Sequence, residues 1–299
     1  MDTAPPPPTL SCVLLGGLGN RLFQIASVFG MASVANMNFT VSMSCIDTNH
    51  DISSDQYNFI CERVCDVSTI VEGPHAAPPP TVSRVLHSKN LEHRMYIEKG
   101  FPIEYNAPNI AFSENDMHTV FYGYFQNENY FAHAREKILE MFREPPHITT
   151  FIRDKYRSVK FEDFYFLHVR LGDYTAPKNI SYHWVDLRDY YNNAIEHIKR
   201  LDPEAKFLIS TENPELIGKY YPGLVETGSD NIILNENNHV INFYMLSRCL
   251  KGGICANSTY SWWGAWLNSN PKKIVTIPSK WFPHRMDTLN MTGSVVINV

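Results

Sequence analysis

Long apolar runs are missing from this sequence: no uninterrupted stretch approaches the ~18 to 20 residues that cross a bilayer. The first residues, Met1 to Ala4 followed by Pro5 to Pro8, lack the basic n-region of a signal peptide. The expectation is a soluble, cytoplasmic protein of a microbe, a virus or a host-cell cytoplasm. Charge is scarce and balanced, with 26 basic against 31 acidic residues and a formal net charge of -5. That balance excludes a general nucleic-acid or anionic-membrane binder, so any anionic ligand must be held by a few local basic groups. Cysteine is sparse too. Six residues (Cys12, Cys45, Cys61, Cys65, Cys249, Cys255) over 299 positions, without CxxC spacing, read as reduced core thiols rather than a disulfide framework. There is no HExxH, no paired CxxC and no DxD dyad after a strand, so no metal is expected. No GxSxG elbow appears, which argues against an α/β hydrolase.

What is present is an ordinary globular composition, 44% hydrophobic, at a length where cores usually split into two domains. Ser11 to Leu15 reads as a buried strand, Gly16 to Asn20 as a tight turn, and Leu22 to Val34 as a helix. A second strand is expected at Phe39 to Met43, a Pro-rich surface loop at Gly73 to Pro80, and a helix from Asn127 to Phe142. Pro145-Pro146 then leads to a short helix over Ile148 to Tyr156. The domains are placed at 1–150 and 151–299. The second half alternates strands (Phe164 to Val169, Phe207 to Ser210, Ile232 to Leu234, Gly253 to Ala256, Ile274 to Ile277) with amphipathic helices at Arg188 to Arg200 and His239 to Leu250. Such alternation predicts a doubly wound parallel sheet with ligands at the carboxyl ends of its strands.

Four segments follow strands and carry polar residues. Gly16-Gly17-Leu18-Gly19-Asn20-Arg21 has glycines where backbone turns tightly, but it is neither a dinucleotide fingerprint nor a Walker loop. His168-Val169-Arg170-Leu171-Gly172-Asp173-Tyr174 leaves a strand with His168 and Arg170 on one face and Asp173 beyond a glycine turn. An arginine there can hold a phosphate through charge-assisted hydrogen bonds; the alternative is a structural Arg-Asp pair with a core histidine. Asn257-Ser258-Thr259 opens a Trp-rich helix, either as plain capping or as a phosphate cradle at the positive end of the dipole. Thr211-Glu212-Asn213 ends another strand and serves either as a turn or as a reader of a base or ribose. The aromatics Tyr57, Phe59, Tyr96 and Phe101 lie in a stretch without motifs and are read as core.

Taken together, GGLGNRLFQ, GYFQNENYF (Gly123 to Phe131), HVRLGDY, STENP and NSTYSWWGAWL resemble, in order and spacing, the alpha-1,2-fucosyltransferases of glycosyltransferase family 11, from about residue 12 to about residue 283. The resemblance implies a GT-B fold of two Rossmann-like α/β domains facing across a cleft, an acceptor-side domain followed by a nucleotide-sugar domain. It implies inverting, metal-independent transfer of L-fucose from GDP-fucose to a glycan hydroxyl. Arg170 would bind the β-phosphate with support from His168, and Asn257, Ser258 and Thr259 would add donors. Asp173 would act as base or orient Arg170; Thr211, Glu212 and Asn213 would meet the nucleoside; Asn20 and Arg21 would face the cleft. Leu171 stands where the family has a second arginine, Glu212-Asn213-Pro214 where it tends to have Asp-Asp-Pro, and Lys251-Gly252-Gly253 where it often has Cys-Lys-His. These departures keep two alternatives open: another nucleotide sugar, or a non-catalytic glycan-binding relative. Acceptor and oligomeric state are not encoded in any motif.

Overall fold

The structure, a computed structural model, describes residues 8–46, 53–64, 93–106, 118–225, 232–234 and 236–299. The leader Met1 to Ala4, the Pro-rich stretch Gly73 to Pro80 and Cys65 lie outside these residues. The chain forms two compact units, Met1–Arg143 and Glu144–Val299. No helix among the described residues is long and apolar enough to cross a membrane.

Unit 1 runs β1 (Thr9–Leu14), α1 (Leu18–Ala35), β2 (Asn38–Ile46), α2 (Ser54–Val64), β3 (His93–Ile97), β4 (His118–Tyr122) and α3 (Arg135–Met141). Its strands form a parallel sheet in the order β2-β1-β4-β3. The central strand β1 is buried at five of six positions, as expected of an apolar run flanked on both sides by partners. The helix α1 ends at Asn36, whose left-handed φ of 54° lets its N–H close on the Ala32 carbonyl. The stretch from Asn127 to Phe142 is not the single helix that its periodicity predicts. Two 3-10 turns, Glu128–Tyr130 and Ala132–Ala134, precede α3. Asn127 caps the first turn by accepting from the Asn129 N–H, and the backbone of Tyr130 and Phe131 presses against Gly30 of α1. Packing on α1 therefore overrides local periodicity. Phe59 is buried, and the half-buried Tyr96 packs at a tilt of 34° with its centroid 4.9 Å from that of Phe121, in keeping with the core reading of these two rings.

Unit 2 contains α4 (Pro146–Lys155), β5 (Phe164–Val169), α5 (Ile180–His183), α6 (Arg188–Leu201), β6 (Lys206–Thr211), α7 (Pro214–Tyr220), α8 (Pro222–Val225), β7 (Ile232–Leu234), α9 (His239–Arg248), β8 (Gly252–Ile254), α10 (Thr259–Leu267), β9 (Ile274–Pro278) and β10 (Val295–Ile297). The division between the units falls before α4, the helix that contains residue 150. The sheet is parallel, in the order β10-β9-β8-β5-β6-β7. From β5 the chain steps outward through β6 and β7, then crosses back to the other side of β5 and continues through β8, β9 and β10. The strand order reverses between β5 and β8, and a doubly wound sheet opens a ligand crevice at such a point. All six residues of β5 are buried. The predicted face of α6 (Tyr191, Ala194, Ile195, Ile198) packs with Leu167, Val169, Phe207 and Ile209. The α9 N-terminus is capped by Asn238, whose Oδ1 accepts from the N–H groups of Val240 and Ile241. Trp262, Trp263 and Trp266 of α10 are buried core. The edge strand β10, Val295-Val296-Ile297, is an apolar β-branched run with two of three residues exposed, and it was missed by the sequence reading.

Candidate active site

His168 is the fifth residue of β5 and is buried at 3% exposure, so it does not stand in solvent beside Arg170. Its ring lies 5.5 Å from that of Tyr260, and its Nδ1 has no hydrogen-bond partner. Burial, reinforced by the neighbouring Arg170 charge, pushes its pKa down to about 3. The imidazole is neutral at physiological pH. Its carbonyl accepts from the buried Tyr191 hydroxyl at 2.9 Å, which ties α6 to the end of β5.

Arg170 emerges where β5 stops. Its Nη1 donates to Glu212 Oε2 at 2.7 Å and its Nη2 to Asp173 Oδ1 at 2.6 Å, while the guanidinium sits 5.4 Å over the Tyr174 ring. Burial works against this charge, but Glu212 and Asp173 outweigh it and raise the pKa of Arg170 further. Gly172 makes the turn at φ +35°, and a Cβ there would stand 2.9 Å from Asn213 Oδ1. The loops after β5 and β6 are thus in direct contact. Glu212 uses its other oxygen, Oε1, to meet His239 Nδ1 at 3.3 Å. Burial alone would raise the Glu212 carboxyl, but the hydrogen bond from His239 and the Arg170 charge hold it down at about 2. Thr211 is buried and its hydroxyl accepts from the Asn213 N–H, so it shapes the turn; the Asn213 amide reaches Glu215 at 3.4 Å.

Across the switch point, β8 delivers Asn257, Ser258 and Thr259 to the start of α10. The Asn257 amide is buried and committed to two carbonyls, those of His183 and Trp281, each at 3.0 Å. Ser258 occupies the N-cap position without making a side-chain cap bond, and Thr259 opens the helix. The Tyr174 hydroxyl donates to the Asn257 carbonyl at 3.3 Å, joining the two banks of the crevice.

Asn20 and Arg21 belong to unit 1. Gly16, at φ +69°, lets the loop fold back until Asn20 Nδ2 lies 2.4 Å from where a Cβ would be. Asn20 Oδ1 accepts from Gln126 Nε2 at 3.0 Å, which couples the GGLGN and GYFQ segments. Arg21 is fully buried within unit 1 and reaches Gln56 Oε1 at 3.3 Å. Glu98, beyond β3, accepts from the N–H groups of Tyr124 and Phe125 at 2.6 and 2.8 Å. Burial dominates there and raises its pKa to about 6.

Arg170, Asp173, Glu212 and Asn213 therefore form one cluster at the carboxyl ends of β5 and β6, with Ser258 and Thr259 across the switch point from them. His239 joins this cluster and was missed by the sequence reading. The signal available was positional: Asn238-His239 starts the helix after β7, the strand end nearest to β6.

Residues 84–288 match the sequence profile of glycosyl transferase family 11. The chain is 28% identical over 293 residues to the O-antigen biosynthesis glycosyltransferase WbnK of Escherichia coli, covering 91% of this chain and 94% of that one. It is 24% identical to an alpha-1,2-colitosyltransferase of Escherichia coli (90% and 91% covered) and 22% identical to a galactoside 2-alpha-L-fucosyltransferase of Caenorhabditis elegans (89% and 71%). Among solved structures, a point mutant of Arabidopsis thaliana FUT1 in complex with GDP superposes with a TM-score of 0.55 at 12% identity, covering 92% of this chain and 71% of that one. The NodZ alpha-1,6-fucosyltransferase soaked with GDP-fucose gives a TM-score of 0.51 at 15% identity (88% and 93%). The fold is α/β of the GT-B type. The profile match spans more than half of the sequence, and this chain belongs to glycosyl transferase family 11.

Proposed function

We propose that this glycosyltransferase moves L-fucose from GDP-fucose to the 2-hydroxyl of a galactoside, with inversion at the anomeric carbon and without a metal ion. The observation that carries the reading is Arg170, a forked cation at the switch point of the unit 2 sheet, with the start of α10 on the opposite bank. In the transfer, the anomeric carbon bonds to the acceptor oxygen as its bond to the β-phosphate oxygen breaks. The electron pair leaves with GDP, and the acceptor proton passes to a base or to solvent. A fixed guanidinium and a helix N-terminus stabilise the charge that develops on the leaving diphosphate, as pre-organised donors do in a site without a cation. Asp173 accepts from Arg170, which supports the orienting role over that of base. The neutral, buried His168 supports a positioning role. The similarity to an alpha-1,2-colitosyltransferase and to a galactoside 2-alpha-L-fucosyltransferase supports the linkage.

The test is incubation of the chelator-treated protein with GDP-fucose and a panel of galactosides, with product linkage assigned by NMR. An α-1,2-fucosylated product, lost in Arg170→Ala, is expected; transfer that requires added divalent metal overturns the metal-free mechanism. A second reading, another deoxyhexose nucleotide as donor, is favoured by Asn213, whose amide is turned towards Glu215, and by the colitosyltransferase relative. Tighter binding of UDP or dTDP than of GDP decides for a different nucleotide.

A further inference from the structure

The Arg170 fork is already engaged by acidic partners. Both of its terminal nitrogens are bound to carboxylates, Nη1 to Glu212 and Nη2 to Asp173. A diphosphate engaged by this fork competes with both carboxylates for the guanidinium and places a new polyanion beside them. For Asp173 the only described ion-pair partner is Arg170. Glu212 differs, because its second oxygen already faces His239 Nδ1 at 3.3 Å.

We propose, on the basis of the donor reading above, that His239 is a further charged group of the donor-phosphate site, a positioning residue that retains the Glu212 carboxylate when the diphosphate claims Arg170. The backbone around His239 is built to hold it there. Asn238 caps α9 through Val240 and Ile241, and the Tyr260 hydroxyl donates to the His239 carbonyl at 2.6 Å. Tyr260 in turn packs against His168 at 5.5 Å and Phe243 at 5.5 Å, so the backbone that carries His239 is tied through α10 to β5. The side chain is 37% exposed, open to solvent on one side.

The electrostatic consequence follows from the surrounding charges. The neighbouring elements contribute His168, Arg170, Asp173 and Tyr174 from β5 and its loop, Glu212 and Glu215 from the end of β6 and α7, and Tyr260 from α10. Glu236, before α9, is held by Lys155 and the Tyr156 hydroxyl at 2.7 and 2.8 Å. When phosphate draws on Arg170, Glu212 shares its guanidinium partner and the ligand adds further negative charge. Both changes favour the protonated imidazole. Donor binding is therefore linked to proton uptake at His239, and affinity tightens as pH falls through the ordinary histidine range.

The experiment is calorimetric titration of GDP into the full chain at pH 7 in buffers of different ionisation enthalpy, repeated for His239→Gln and His239→Lys. The difference between wild type and variant cancels ionisation of the GDP phosphate itself. Wild type is expected to take up more protons than His239→Gln, by as much as about one per GDP. His239→Gln is expected to bind GDP more weakly at pH 6 and nearly as well as wild type at pH 8. His239→Lys, a permanent cation, should bind without that pH dependence and serves if the glutamine variant fails to fold. Equal proton uptake in wild type and both variants overturns the inference while leaving the donor reading intact. Binding of neither GDP nor UDP by wild type overturns the donor reading and this inference with it.

Discussion

The carbonyl oxygen of Tyr130 occupies the space beside Gly30 in which a side chain would begin: a Cβ on Gly30 would lie 2.3 Å from it and 2.8 Å from Phe131 Cα. Helix propensity alone ranks Gly30→Ala as stabilising, by ~1 kcal/mol. The contact reverses the sign. Backbone must shift to admit the methyl group, and overpacking of this kind costs ~1 to 3 kcal/mol or more. Gly30→Ala should lower the urea midpoint of unfolding, and a rise would show that the segment yields easily.

Arg170→Ala removes the one cation between Asp173 and Glu212 and leaves two carboxylates facing the incoming diphosphate. Loss of a pre-organised donor of this type costs ~2.7 to 4 kcal/mol, or ~100- to 1000-fold in turnover. Arg170→Lys keeps the charge but cannot reach both carboxylates with a planar fork, so an intermediate loss is expected. Steady-state transfer rates with GDP-fucose check both, and full activity in the lysine variant would refute the role of the fork.

His168 makes a prediction with a defined sign. Its folded pKa, about 3, lies below the ordinary value of 6.5, so between these limits the unfolded chain holds a proton that the folded chain does not. The stability it contributes is full above pH 6.5 and is lost as pH falls, at up to ~1.4 kcal/mol per pH unit. Glu212, held at about 2 against 4.5, adds to the loss only below pH 4.5. Glu98, raised from 4.5 to about 6, has the opposite slope between those values. Comparing unfolding of wild type and His168→Gln from pH 7 to pH 5 isolates the imidazole: the variant should show the shallower acid-side decline. Parallel curves would place the proton on His168 in the fold.

Tyr191→Phe keeps the ring in the core and deletes the hydroxyl that holds the His168 carbonyl. The expected cost is ~0.5 to 1.5 kcal/mol, the net worth of one hydrogen bond. In thermal unfolding that is a drop of about 1 to 6 °C. GDP affinity should change far less than in Arg170→Ala; an equal loss would mean that the end of β5 depends on this single bond.

Much of unit 2 was legible because its central strands are short apolar runs closed by turn residues, and Phe164 to Val169 followed by Arg170 and Gly172 states both strand and site. The strand β3 begins His93-Arg94 and carries no buried-strand pattern, so pairing alone defines it, whereas β10, Val295-Val296-Ile297, is a short β-branched run that the sequence does display. The turns after Asn127 obey their contact with α1, which no window of local sequence contains. The same limit applies to the site. The pairing of Arg170 with Glu212 spans 42 positions, and that of Glu212 with His239 another 27; only the sheet order brings them together. Asn257 looked like a ligand donor because capping types look alike in sequence, whereas its amide spans two carbonyls instead.

The reversal of strand order beside β5 also has a kinetic meaning. β5 can pair with β6 soon after the chain between them closes, but β8, its other neighbour, must arrive from more than 80 positions away, and such distant pairings form slowly. The half-site of Arg170, Asp173 and Glu212 needs only the earlier pairing, whereas Ser258 and Thr259 join with the later one. During refolding, the appearance of nucleotide binding should therefore lag behind the burial of Phe166 and Leu167 and coincide with the docking of the three tryptophans of α10, whose fluorescence makes that event visible.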